Sequence, residues 1–169
     1  GKTCLIKCIR EIKRVLLNKE TRIMTNWFSD NPVCELGVTF LYRGREFSYD
    51  IKYNIDEKAY IYEKFEEIQK DKYGNEKRIL WLLKDYENEE YACADEEMIS
   101  MISIIAQDNL LCYQVQPKRF EHLDEMKYII TVFANKIDII NMNNIPINRT
   151  IELMKNKNNL QKKVVDFIK

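Results

Sequence analysis

An α+β fold is what this sequence predicts, and two switches of hydrophobic period carry that prediction. Residues 1–20 space their apolar side chains as a helix does, residues 33 to about 85 alternate them at a period of two, and residues 94–169 return to helical spacing. The chain is long enough to bury a core and contains no Gly/Ser-rich linker, internal repeat or low-complexity tract. One domain, or a large portion of one, is therefore expected over 1–169: a helix, an antiparallel meander of about four strands, then a mainly helical part.

The opening segment "GKTCLIKCIREIKRVLL" sets Leu5, Cys8, Ile9, Ile12, Val15 and Leu16 on one face and Thr3, Lys7, Arg10 and Arg14 on another. That spacing predicts an amphipathic helix, losing its pattern at "NKETR". From "PVCELGVTFLY" the period becomes two, with Cys34, Leu36, Val38, Phe40 and Tyr42 facing one way and Glu35, Gly37 and Thr39 the other. After "RGRE", Phe47, Tyr49, Ile51, Tyr53 and Ile55 alternate with polar residues, which predicts a hairpin. "AYIYEKFEEI" and "RILWLLKD" supply two more strands, and the aromatic-rich faces of the set are expected to be partly solvated. "ADEEMISMISIIAQ" then predicts a helix with Asp95 as its N-cap and acidic residues in its first turn. A further helix is expected after Pro117, burying Phe120, Leu123, Met126, Ile130 and Phe133. "IDII" suggests a short strand, and the lysine-rich stretch after Pro146 one helix or two, with Leu160, Val164, Phe167 and Ile168 inward.

Lys+Arg and Asp+Glu both total 27, so the overall balance gives no push toward nucleic acid or membrane. Both ends are basic, however, and the middle is acidic: residues 56–97 carry seven basic and fourteen acidic side chains. Five scattered cysteines without a C-x-x-C spacing suggest neither a disulfide framework nor a zinc site, and a reducing cytoplasmic home is expected. No apolar run reaches the length of a membrane span and no signal peptide opens the chain, so no membrane partner is expected. The missing initiator Met fits processing or a fragment.

The chemically specific motif is the tripeptide Gly1-Lys2-Thr3. A phosphate-binding loop reads G-x-x-x-x-G-K-[ST], because consecutive backbone N–H groups wrap the phosphates, the Lys neutralises the outer ones and the hydroxyl ligates Mg²⁺. Only its last three positions are present, in front of a helix in the right place. The segment resembles the "GK-[ST]-x-L-x-K-A-I" start of the first helix in ABC-type ATPases, the class of SMC-like and RecF-like proteins. The order of the following pieces resembles the AAA-like, ABC-related ATPases of bacterial genomes that often lie beside phage-defence or abortive-infection genes. "CELGVTFLYRGREFSYDI", "AYIYEKFEEI" and "RILWLLKDYEN" are similar to that family's antiparallel strand set. "MISIIAQDNLL", "MKYIITVFANKIDIIN" and "LQKKVVDFIK" are similar to its helical segments.

The resemblance implies ATP and Mg²⁺ as ligands, Gly1, Lys2 and Thr3 as nucleotide-binding residues with Thr3 on the metal, and a homodimer of heads. The loop's first half, an apolar run ending in Asp-Glu and an "LSSG"-like signature are absent. No catalytic residue is therefore assigned, and the chain as given is not expected to hydrolyse ATP. The alternative is a non-enzymatic α+β module that docks a protein or nucleic acid through its tyrosine-rich sheet or its basic helices. For nucleic acid the candidates are Lys7, Arg10, Lys13 and Arg14, then Lys155, Lys157, Lys162 and Lys163, together with aromatic stacking by Trp27, Trp81 and the tyrosines. His122 reads as a surface or packing residue, Cys8 as core and Cys4 as partly buried, and the pairs Glu66/Glu67, Glu89/Glu90 and Glu96/Glu97 as polar or helix-starting.

Overall fold

The computed structural model describes residues 2–18, 31–115 and 119–137, with side chains described from residue 8 onward. All belong to one compact unit, Gly1–Ile137. Its centre is an antiparallel sheet in which each strand pairs with the next in sequence: β1 (Val33–Tyr42), β2 (Arg45–Asn54), β3 (Ala59–Lys70), β4 (Glu76–Asp85) and β5 (Glu90–Cys93). Tyr42 pairs with Arg45, leaving Arg43-Gly44 as a two-residue hairpin loop. Both have positive φ, 51° and 80°, as the twist of a hairpin requires and as glycine tolerates. Asp71 and Asp85 fold the later turns by accepting backbone N–H groups two to four residues ahead, from Tyr73 and Asn75 and from Glu87 and Asn88.

One face of the sheet is the core. Phe47, Tyr49, Phe65 and Trp81 interlock there, with Phe47 and Phe65 stacked at 5.3 Å and Trp81 edge-on to both at 5.9 and 5.8 Å. A bulge in the β3–β4 pairing leaves Trp81 without a partner residue, so that Trp81 and Leu82 are both buried. Two long helices cover this face: α1 (Lys2–Leu16), which contributes Val15 and Leu16, and α4 (Glu121–Lys136), which contributes Leu123, Met126, Ile129, Ile130 and Ala134. Phe133 stacks on Phe40 of β1 at 4.0 Å, fixing α4 against the edge strand. Each such fully buried side chain contributes about 1.5–3 kcal/mol relative to exposure.

The α+β class and the β1–β4 meander agree with the sequence expectation. A fifth strand, Glu90–Cys93, lies in a stretch that shows only acidity in the sequence, and pairing with β4 supplies what its composition does not. The helix expected from Asp95 is reduced to a 3-10 turn (Glu96–Met98) and α2 (Ile99–Ile102). Donors from the β4–β5 turn and from β3 take carbonyls a longer helix would have used: Tyr86 Oη lies 3.0 Å from those of Ile102 and Ile105, and the Tyr60 N–H reaches that of Gln107 at 2.6 Å. A further short helix, α3 (Leu111–Gln114), follows. The aromatic faces expected to be partly solvated are mostly buried, Tyr49, Tyr53, Tyr60, Phe65 and Trp81 among them, while Cys8, expected in the core, is exposed. The end of "IDII" and everything from Asp138 onward lie outside the described residues, as do Gly1 and Trp27.

Asp95 also caps differently. Its carboxylate makes no cap bond to its own turn and instead accepts the backbone N–H groups of His122 and Leu123, at 3.3 and 3.0 Å, at the start of α4. It acts as an N-cap supplied from another element, and Asp95→Ala should therefore cost about 1 kcal/mol of stability in urea unfolding. A loss below a few tenths would show that α4 does not depend on it.

Candidate functional site

Lys2 and Thr3 stand in the first turn of α1, where N–H groups without intrahelical partners favour an anion. No acidic residue occupies that turn, while Lys13 and Arg14 sit in the last one, where cations suit the dipole. The side chains of Lys2 and Thr3 and all of Gly1 lie outside the described residues, so position on the helix is what is known of the expected nucleotide contacts. A threonine hydroxyl, an ammonium and a helix N-terminus are, as chemical groups, of the kinds that bind phosphate. Among the described residues no cluster of three or more His, Cys, Asp or Glu side chains could hold a metal alone.

The C-terminal end of α1 is tied down. Tyr113 Oη donates to the Leu16 carbonyl, and Lys13 Nζ donates to the carbonyl of Ile137 just past α4. Val15 and Leu16 are buried beneath these bonds, so the helix is anchored at the end opposite Lys2 and Thr3. Of the basic stripe expected for nucleic acid, Arg14 pairs with Glu11 at 3.3 Å and Lys13 is engaged with Ile137. Arg10 is exposed, and the Lys155–Lys163 cluster lies outside the described residues.

Two charged clusters emerge whose pairings the sequence does not show. In the first, Glu63 of β3 and Lys84 of β4 are cross-strand partners, both with 0 % side-chain exposure, 3.5 Å apart. Each Glu63 oxygen accepts a hydrogen bond: Tyr49 Oη donates to Oε1 at 2.6 Å and the Leu111 N–H to Oε2 at 2.9 Å. Lys84 Nζ makes no hydrogen bond and sits 5.4 Å from the Tyr86 ring centroid. Burial, followed by the Glu63 charge, pushes the Tyr49 hydroxyl well above its ordinary range, so it stays protonated and donates. The strand period carries the signal, since Glu63 falls in register with Ile61 and Phe65.

In the second, Arg45 lies against the faces of Phe47 and Trp81, 5.0 and 5.3 Å from their centroids, and grips Glu67 through two bonds of 3.0 and 2.5 Å. It also reaches Glu125 of α4 at 2.9 Å. Glu66 pairs with Lys64 and Arg78 at 2.8 and 3.2 Å, so the Glu66/Glu67 pair has its charge answered within the sheet. His122 packs edge-on to Trp81 at 5.6 Å with Nδ1 3.0 Å from Asp95, in keeping with a packing residue.

Breaking the buried pair should be costly. Glu63→Gln leaves an ammonium without a counter-charge and is expected to lose about 3–5 kcal/mol, whereas Glu63→Leu/Lys84→Met should recover most of it. Equal stabilities for the two variants would contradict this. A pH effect follows from the Arg45 bonds, which hold the Glu67 carboxyl below its usual range. A carboxylate lowered on folding stabilises above its unfolded value, about pH 4.3, and that contribution is lost as pH falls through the folded one. The stability gap between the natural protein and Arg45→Met should therefore be full at pH 7 and shrink below about pH 4. A gap constant from pH 7 to pH 3 would contradict it.

No family model, curated protein or solved structure matches this chain.

Proposed function

We propose that this chain is the ATP-binding part of an ABC-type ATPase head. The observation that supports it is Gly1-Lys2-Thr3 at the start of an amphipathic helix, Lys2–Leu16, that packs on an antiparallel meander and is followed by helices. Lys2 contacts the β- and γ-phosphates, Gly1 lets the backbone approach them, and Thr3 Oγ1 offers a ligand to Mg²⁺. When bound, the metal neutralises charge that builds on the phosphates during transfer. The helix N-terminus adds its own fixed positive pole, and the anchored far end keeps that pole aimed.

In this reading, heads of two copies close on ATP and reopen after its hydrolysis, which requires groups this sequence does not contain. The full protein would work in the cytoplasm, in phage defence or nucleic-acid metabolism. None of the residues described here is given a role in bond cleavage.

Lys2→Ala and Thr3→Ala, each made in the full protein, should abolish ATP turnover while leaving its melting temperature within a degree or two. Turnover at the natural rate in either variant would overturn the assignment. The non-enzymatic binding-module reading would then gain if oligonucleotide binding weakened steeply with salt and nucleotide left the melting temperature unchanged.

A further inference from the structure

Helix α1 and strand β1 share an apolar contact, and each carries a cysteine beyond it. Ile12 and Leu16 line a common pocket with Leu36 and Val38 of β1, together with Ile51 of β2. Four residues of helix advance about 6 Å and two residues of strand about 6.6 Å, so steps of four along α1 keep pace with steps of two along β1. One step back from Ile12 and from Leu36 stand Cys8 and Cys34. Cys8 is exposed, and Cys34 is half-buried against the core. Burial raises the Cys34 thiol, and Cys8 raises it further, ahead of Glu11 on the same helix and of Glu35, its own neighbour in sequence. The other two described cysteines, Cys93 and Cys112, are buried.

We propose that Cys8 and Cys34 are a redox-sensitive thiol pair, which a peroxide converts into an intrachain disulfide fastening α1 to the start of β1. Cys8, being exposed, meets the oxidant. Its sulfur attacks one peroxide oxygen, the O–O bond breaks, and with hydrogen peroxide one water leaves as Cys8 becomes a sulfenic acid. Cys34 sulfur then attacks Cys8 sulfur; the S–S bond forms, the S–O bond breaks, and the thiol proton departs with the hydroxide as a second water. Two thiols are oxidised by two electrons and one peroxide is reduced. A thiol in the dithiol pool reverses the bond by exchange. This proposal stands apart from the nucleotide reading, since it depends only on how α1 lies on β1.

A disulfide closes only where two Cα atoms come within about 7 Å, so its formation also reports the register. The full protein is treated with hydrogen peroxide at several protein concentrations, remaining thiols are blocked, and tryptic peptides are mapped without reduction. Cys8 falls in the peptide Cys8–Arg10, Cys4 in Thr3–Lys7 and Cys34 in Ile23–Arg43. The expected result is one cross-linked species of the first and third, formed in a yield independent of protein concentration and released by a reducing thiol. It should vanish in Cys8→Ser and in Cys34→Ser while both variants keep the natural circular dichroism spectrum. Recovery of Cys8 and Cys34 as separate sulfinic or alkylated peptides would overturn the proposal. So would cross-links from either to Cys4, or a yield that rises with protein concentration.

Discussion

The carboxylate of Glu63 is the constraint around which the described unit is arranged. Set in the third strand of five, it receives a hydroxyl from β2, an ammonium from β4 and a backbone N–H from α3. A charge removed from water this completely is tolerable only if every approach to it is occupied by a partner. The position of α3 is therefore dictated by the sheet. Its four residues have little helical stability of their own, and their place comes from that bond and from burying Leu111 and Cys112.

From α3 the constraint passes to α1. Tyr113, two residues beyond the amide held by Glu63, donates to the last carbonyl of α1. The Arg45 cluster does the same work for α4, which it meets at Glu125 while stacking on Phe47 and Trp81. Polar side chains thus fasten α4 to the sheet and α1 to α3 and the end of α4, in addition to apolar contact. For α1 the fastening is at the C-terminal end, and the turn holding Lys2 and Thr3 is the opposite one.

The meander was legible because a strand with one buried face repeats every two residues, and Cys34 to Tyr42 and Phe47 to Tyr53 keep that rhythm without interruption. The helix Glu121–Lys136 was legible for the equivalent reason at helical spacing. The short pieces were not. Glu90–Cys93 is a strand because Leu82 to Asp85 offers it an edge, and the stretch after Asp95 abandons its helical period because Tyr60 and Tyr86 compete for its carbonyls. Long-range hydrogen bonds of this kind leave no local trace in composition. Glu63 shows the converse, since its inward register could be counted, but a charged residue in that register reads as an interruption until its partners are seen. Lys2 and Thr3 remained a matter of motif, their helical placement being all that the fold adds.

Hydrogen exchange of the full protein, with and without Mg²⁺ and a non-hydrolysable ATP analogue, bears most directly on the claim that the start of α1 is a phosphate site. Nucleotide should slow exchange at the first-turn amides of α1, Lys2 to Leu5, while the β3 and β4 amides around Glu63 and Lys84 stay as they were. Unchanged exchange in that turn under saturating nucleotide would contradict the account.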